Sequence, residues 1–182
     1  MTLPATVGGR EHARIFLGLR LPAATVERLV PWQERELRGR VVPRDNLHVT
    51  LAFLGRRPAA ETDAIADELR SAARAARRPS LAVRAYTETR SVGMLVLEDR
   101  GGHATALAED VHGRLERLGV YRREARPWLP HLTVLRFRER PRLRPPLPEL
   151  GEISPSEAAV YHSVLRPTGA QYDVLETFAL GG

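Results

Sequence analysis

Along this chain the apolar residues alternate between a spacing of two and a spacing near 3.6, and each change marks a new element. Residues 14–22, RIFLGLRLP, read as a strand ended by proline. Val26, Leu29, Val30 and Leu37 then keep a helical stripe across a charged segment. VVPRDN (41–46) breaks that stripe, and LHVTLAFLG (47–55) reads as a second strand closed by Gly55. Pro58 suits the first turn of another helix, in which Ile65, Leu69, Ala72 and Ala76 share a face until Arg78-Pro79.

After a strand-like LAVRAY (81–86) the order restarts. VGMLVLE (92–98) reads as a strand, and Leu107, Val111, Leu115 and Leu118 form an apolar helical stripe. HLTVLRF (131–137) is the matching strand. A proline-rich loop over 141–155 leads to two further strands, AAVYHSVL and YDVLETFAL, around the turn RPTGAQ. The result is a strand–helix–strand pattern written twice, Ile15 lying 33 positions before His48 and Met94 lying 37 before His131. Tandem α+β units of this kind predict two similar lobes related by a pseudo-twofold, with equivalent strands beside a shared cleft.

Each lobe contains one H-x-T triplet. Side chains two apart on a strand share a face. His48 and Thr50 therefore lie together, with Val49, Leu51 and Phe53 expected on the reverse. His131 and Thr133 likewise oppose Leu132 and Val134. A neutral imidazole takes a proton and an imidazolium gives one, both forms being accessible near neutrality. Two such groups flanking a phosphorus can deprotonate an attacking water and protonate the departing oxygen, while threonine hydroxyls bind the non-bridging oxygens. A lone histidine among apolar residues is more often satisfied locally, and strand threonines are common for their β-branching. Recurrence at equivalent points of a repeat favours the chemical reading. A zinc site finds no third ligand for the pair. His12, His103, His112 and His162 read as incidental, with His112 on the polar side of its helix.

Composition narrows the chemistry. There is no cysteine, hence no thiolate ligand, thiol nucleophile or disulfide. All 28 basic residues are arginine, so lysine nucleophiles, Schiff bases and the lysine of a P-loop are excluded. The formal charge of +6 gathers in clusters at Arg74/Arg77/Arg78, Arg114/Arg117, Arg122/Arg123/Arg126 and from Arg136 to Arg144. Guanidinium matches phosphate, which makes a polyanion such as RNA a fitting partner. Neither a membrane-spanning run nor a secretion signal is visible, and a cytoplasmic location is expected.

The motifs resemble those of the two-histidine (2H) phosphoesterases, and more closely the bacterial and archaeal RNA 2',3'-cyclic phosphodiesterases, also known as 2'-5' RNA ligases. RIFLGLRLP is similar to that family's opening strand, NLHVTLAFLG and PHLTVLR to its two H-x-T motifs, and SVLRPTGAQY to its closing strand-turn-strand. The resemblance implies a bilobal α+β fold over 1–182, with antiparallel-rich sheets lining a central cleft, helices outside and a loose N-terminus over about 1–11. It implies His48 and His131 as the catalytic pair, Thr50 and Thr133 as phosphate ligands, and Arg136 as a further phosphate contact. Simple alternation puts Arg136 opposite His131, so that contact requires the strand to twist or bend. The activity implied is metal- and cofactor-free hydrolysis of RNA or nucleotide 2',3'-cyclic phosphate to a 2'-phosphate, His131 being base and His48 acid, by a monomer. Related readings are 2'-5' ligation by the reverse reaction, another 2H specificity such as ADP-ribose cyclic phosphate, and an RNA-binding module. YTETRSVGMLVLE (86–98) departs from the family's aromatic-Pro-Arg segment, with Arg90 only roughly in register. Tyr121 and Trp128 are candidates for stacking on a base.

Overall fold

β1 (His12–Arg20) follows its apolar run: Ala13 and every residue from Ile15 to Leu19 are buried, while Arg14 and Arg20 face outward. It belongs to a computed structural model that describes residues 11–181. The expected loose N-terminus therefore lies outside the described residues except for Glu11, whose carbonyl accepts the Ala59 amide at 3.0 Å. α1 (Ala23–Glu36) follows, then the two-residue β2 (Arg40–Val41), β3 (His48–Pro58) and α2 (Thr62–Ala75). The second unit comprises β4 (Ser80–Glu88), β5 (Val92–Arg100), α3 (His103–Leu118) and β6 (His131–Arg136). The hairpin of β7 (Glu157–Arg166) and β8 (Gly169–Ala179) closes the chain.

All strand pairs are antiparallel, in the order β4-β5-β6-β3-β1-β7-β8, with β2 added against the end of β6. The two halves thus hydrogen-bond into one sheet instead of forming separate ones. Their seam, β3 against β6, is a single residue pair, Val49 with Leu132. Both are fully buried, as are Leu51 and Val134, on the face that packs against the rest of the main core. The opposite face, bearing His48 and His131, is the cleft.

Two elements end differently from their sequence pattern. β3 runs through Gly55 to Pro58 because β1 begins early enough to pair His12 with Pro58. Pro58 is thus the end of a strand, and α2 opens at Thr62 after a short 3-10 turn over Ala59–Glu61. β2 straddles the start of the segment read as a helix break, of which it includes Val41.

The proline-rich loop has no regular structure but is pinned at several points. Trp32 of α1 donates its indole N–H to Pro146 O at 2.8 Å. Leu81 and Ile153 exchange backbone hydrogen bonds at 2.8 Å. The buried carboxylate of Glu88 accepts the Leu143 and Arg142 amides (2.8 and 2.9 Å), the Tyr86 hydroxyl (3.0 Å) and Arg140 Nε (3.2 Å).

Candidate active site

The Val49–Leu132 pair fixes what faces what. Carrying that register one residue each way sets His48 opposite Thr133 and Thr50 opposite His131. Four side chains from two strands therefore form a square on the cleft face, with the histidines on a diagonal. Diagonal neighbours in an antiparallel pair lie about 7–8 Å apart, within reach across one bound phosphate.

Both imidazoles are tethered alike. His48 Nδ1 donates to Asn46 O at 2.7 Å, and His131 Nδ1 donates to Leu129 O at 2.9 Å. Each carbonyl lies two residues before its histidine, so the backbone entering the strand sets the tautomer and leaves Nε2 as the working nitrogen. In His48 that nitrogen accepts the Thr50 hydroxyl at 2.8 Å. Asn46 is itself fixed, its side-chain amide donating to Ala170 O at 2.8 Å.

The two rings sit in different surroundings. His48 packs on Phe16 (centroids 4.8 Å apart) and Tyr161 (5.5 Å), with Tyr172 edge-on at 5.6 Å. Gly18 provides the space: a Cβ there would meet Val49 O at 3.0 Å and His48 Cδ2 at 3.2 Å. Burial pushes the His48 imidazole down to about 4; the Asn46 hydrogen bond opposes the fall, and the charges of His131 and Arg136 add to it. That electrostatic influence of His131 agrees with two rings sharing one site.

A bulge in each motif strand settles the orientation of the residues beyond it. In β6, Thr133 pairs with Met94 and Leu135 with Gly93, so Val134 is an extra residue without a partner on β5. Alternation is reset there, and Arg136 comes onto the face of His131 and Thr133. The expected obstacle to Arg136 is removed by this bend. In β3, Thr50 pairs with Gly18 and Ala52 with Leu17, making Leu51 the extra residue. Phe53 consequently lies on the cleft face with His48, not on the reverse face where alternation put it. Its ring is 52% exposed, with the Arg14 guanidinium 5.6 Å from its centroid. Phe53 and Arg136 are thus equivalent positions of the repeat, five residues after each histidine.

Beside the square lies a cavity of about 400 Å³ whose lining includes Arg14, Arg40, Phe53, Arg136 and Tyr172 and no carboxylate. Arg136 donates to the Tyr172 hydroxyl at 3.2 Å. Sequence reading missed Phe53, Tyr172, Arg14 and Arg40. Laying the two H-x-T strands over each other would have marked Phe53 as the counterpart of Arg136.

Tyr121 and Trp128 make contacts within the protein. Tyr121 lies on His112, centroids 5.0 Å apart, and Trp128 donates its indole N–H to Thr50 O at 3.1 Å. His112 is a correction: it is only 6% exposed, not solvent-facing, and its Nε2 donates to Leu51 O at 2.7 Å. A buried carbonyl left unpaired costs about 1–3 kcal/mol, which accounts for a polar ring inside the core. Among the described residues no three His, Asp or Glu side chains gather as a metal-binding set. No helix among them is long and apolar enough to cross a membrane.

Known proteins resemble this chain over most of its length. The profile of the 2'-5' RNA ligase superfamily matches residues 21–166. RNA 2',3'-cyclic phosphodiesterase of Escherichia coli K12 is 28% identical over 178 residues, covering 93% of this chain and 98% of its own. The crystal structure of E. coli LigT with 3'-AMP superposes with a TM-score of 0.77 at 26% identity, over 94% of this chain and all of the other. TT0787 of Thermus thermophilus gives 0.77 at 31% identity, over 92% and 97%. With a profile match over most of its length and a mirrored pair of H-x-T strands at its centre, the chain belongs to the 2'-5' RNA ligase superfamily and is an enzyme of the two-histidine phosphoesterase type.

Proposed function

We propose that the chain hydrolyses the 2',3'-cyclic phosphate of an RNA or nucleotide end to a 2'-phosphate, with no metal, His131 acting as base and His48 as acid. The observation carrying this reading is the square of His48, Thr50, His131 and Thr133, with both imidazoles tethered through Nδ1. In the reaction His131 Nε2 takes a proton from water as its oxygen attacks phosphorus. The P–O3' bond breaks, and O3' takes a proton from His48 Nε2. Thr50, Thr133 and Arg136 hold the non-bridging oxygens, where charge accumulates. A 5'-hydroxyl in place of water would give a 2'-5' linkage by the reverse chemistry. The name of the E. coli relative and its 3'-AMP complex support a nucleotide substrate.

The test offers 2',3'-cyclic mononucleotides and a cyclic-phosphate-ended oligonucleotide in excess EDTA, with products identified by phosphorus NMR. A 2'-phosphate is expected. A 3'-phosphate overturns the choice of leaving oxygen, and turnover that stops on chelation overturns the metal-free mechanism.

One observation favours exchanged roles for the histidines. At about 4, the pKa of His48 leaves its ring neutral in the empty site near pH 7, as a base requires. A substrate whose 3'-oxygen is replaced by sulfur separates the two readings, since a thiolate departs without being protonated. If His48 is the acid, H48A recovers on that substrate and H131A does not; recovery of H131A alone reverses the roles.

The pH profile follows under either assignment. One imidazole must carry a proton and the other must not. Activity therefore fails in acid when the second ring is protonated. Because the His48 pKa is lowered, that limb of kcat/KM is expected near pH 4 and not near 6.5. A limb at 6.5 would show that burial does not govern His48.

A further inference from the structure

We infer that Gln33 and His112 are reciprocal positioning residues: each rides on a helix of one half and holds the bulge of the other half's H-x-T strand. This rests on the functional reading above. Gln33, on α1 of the first half, is 2% exposed and donates Nε2–H to Val134 O at 2.9 Å and to Val42 O at 3.2 Å. His112, on α3 of the second half, donates Nε2–H to Leu51 O at 2.7 Å. Val134 is the surplus residue of β6 against β5, and Leu51 is the surplus residue of β3 nearest its triplet, a second one, Leu54, following Phe53. Unlike side chains, a glutamine amide and an imidazole, thus perform the same act at equivalent points of the repeat.

A bulge is where a strand leaves its ladder, so its carbonyl turns to other donors: Leu51 O takes His112, and Val134 O takes both the Val42 amide at 3.0 Å and Gln33, whose amide ties that bulge to the segment after β2. Remove that donor, and the strand regains pairing most readily by shifting the extra residue along. Side chains between the old and new positions of the bulge then turn to the other face. Arg136 and Phe53 lie beyond their bulges; both H-x-T triplets lie before them. Losing a lock should therefore spare the placement of the acid and base while withdrawing the groups that grip the phosphate and border the adjoining cavity. Because the locks cross, each half depends on the other's helix for its own motif strand.

Double-mutant cycles test this. Gln33→Met and Arg136→Ala are made singly and together, as are His112→Leu and Phe53→Ala. Each is read on kcat/KM for 2',3'-cyclic AMP and on Kd for 2'-AMP. Gln33→Met should lose about tenfold in both, and lose almost nothing further in the Arg136→Ala background. The His112→Leu loss should vanish in the same way over Phe53→Ala, and His112→Gln, which restores an N–H donor, should recover. If Gln33→Met does not fold, Gln33→Leu removes the donor without adding a charge. Additive losses in both cycles overturn the inference, as does a Gln33 variant that melts early yet keeps its 2'-AMP affinity. Coupling on 2'-AMP binding without turnover of cyclic AMP sinks the functional reading and sustains the positioning one; normal turnover without coupling does the opposite.

Discussion

Alanine at His48 or at His131 should lower kcat on a 2',3'-cyclic nucleotide by about a hundredfold to ten-thousandfold, the range for removing one general acid or base. The two act on a single transition state, so the double variant should be little worse than either single one. Both rings stand on strands whose buried side is formed by neighbouring residues, Val49 and Leu51 or Leu132 and Val134. Truncation of His131 should therefore leave the melting temperature nearly unchanged, whereas alanine at His48 removes a ring packed on Phe16 and Tyr161 and should lower it. Thr50→Val and Thr133→Val should cost less, each removing one hydroxyl from the phosphate. Single-turnover rates, with thermal melts to confirm folding, check the set. Losses within about threefold for both histidine variants would remove the basis of the proposed chemistry.

Arg136→Ala comes next in expected effect, with kcat/KM falling about a hundredfold or more, on the scale of losing a donor to a developing oxyanion. No carboxylate pairs with this guanidinium among the described residues; its hydrogen-bond partner is the Tyr172 hydroxyl at 3.2 Å. Its charge is available to a ligand. Arg136→Lys should restore only part of the loss, because an ammonium lacks the planar fork that meets two oxygens at once. The same substitutions carry a second signature. Arg136 helps to depress the His48 pKa, so removing its charge should move the acid limb of the pH profile upward, while lysine should hold it near the wild-type position. Retention of wild-type kcat/KM by Arg136→Ala would exclude phosphate contact.

The regular parts of this molecule were plain in the chain. The stripes at Leu107, Val111 and Leu115 or at Ile65 and Leu69 are buried helix faces, and the apolar run of β1 from Ile15 to Leu19 is a strand covered on both sides. The duplicated triplets marked the candidate site because rigid strands keep residues two apart together. What escaped was each departure from period. Leu51-Ala52 and Val134-Leu135 are consecutive buried residues, and in sequence such a pair looks like a strand covered on both faces. Only the partner strand shows that one member is surplus. The misplacement of Phe53 and the apparent misdirection of Arg136 are that one error made twice. His112 failed for a different reason: its partner is a carbonyl 61 positions away, and helical periodicity says nothing of so distant an acceptor.

A sheet with two ends offers two places for a foreign strand to add. At the β4 end, Ile153 occupies the backbone of Leu81, and the loop bearing it is fastened at its other end, at Arg142 and Leu143, by the Glu88 carboxylate. Burial alone would raise the pKa of Glu88, but hydrogen bonds from Leu143, Tyr86, Arg142 and Arg140 outweigh it and hold the group below the ordinary carboxylate value. The fastening is therefore complete at neutral pH and weakens only as acid protonates the carboxylate. Resistance to edge-to-edge aggregation at this margin thus draws on one ionised side chain alongside the Trp32–Pro146 hydrogen bond, and mildly acidic storage is safer for this protein than strongly acidic storage.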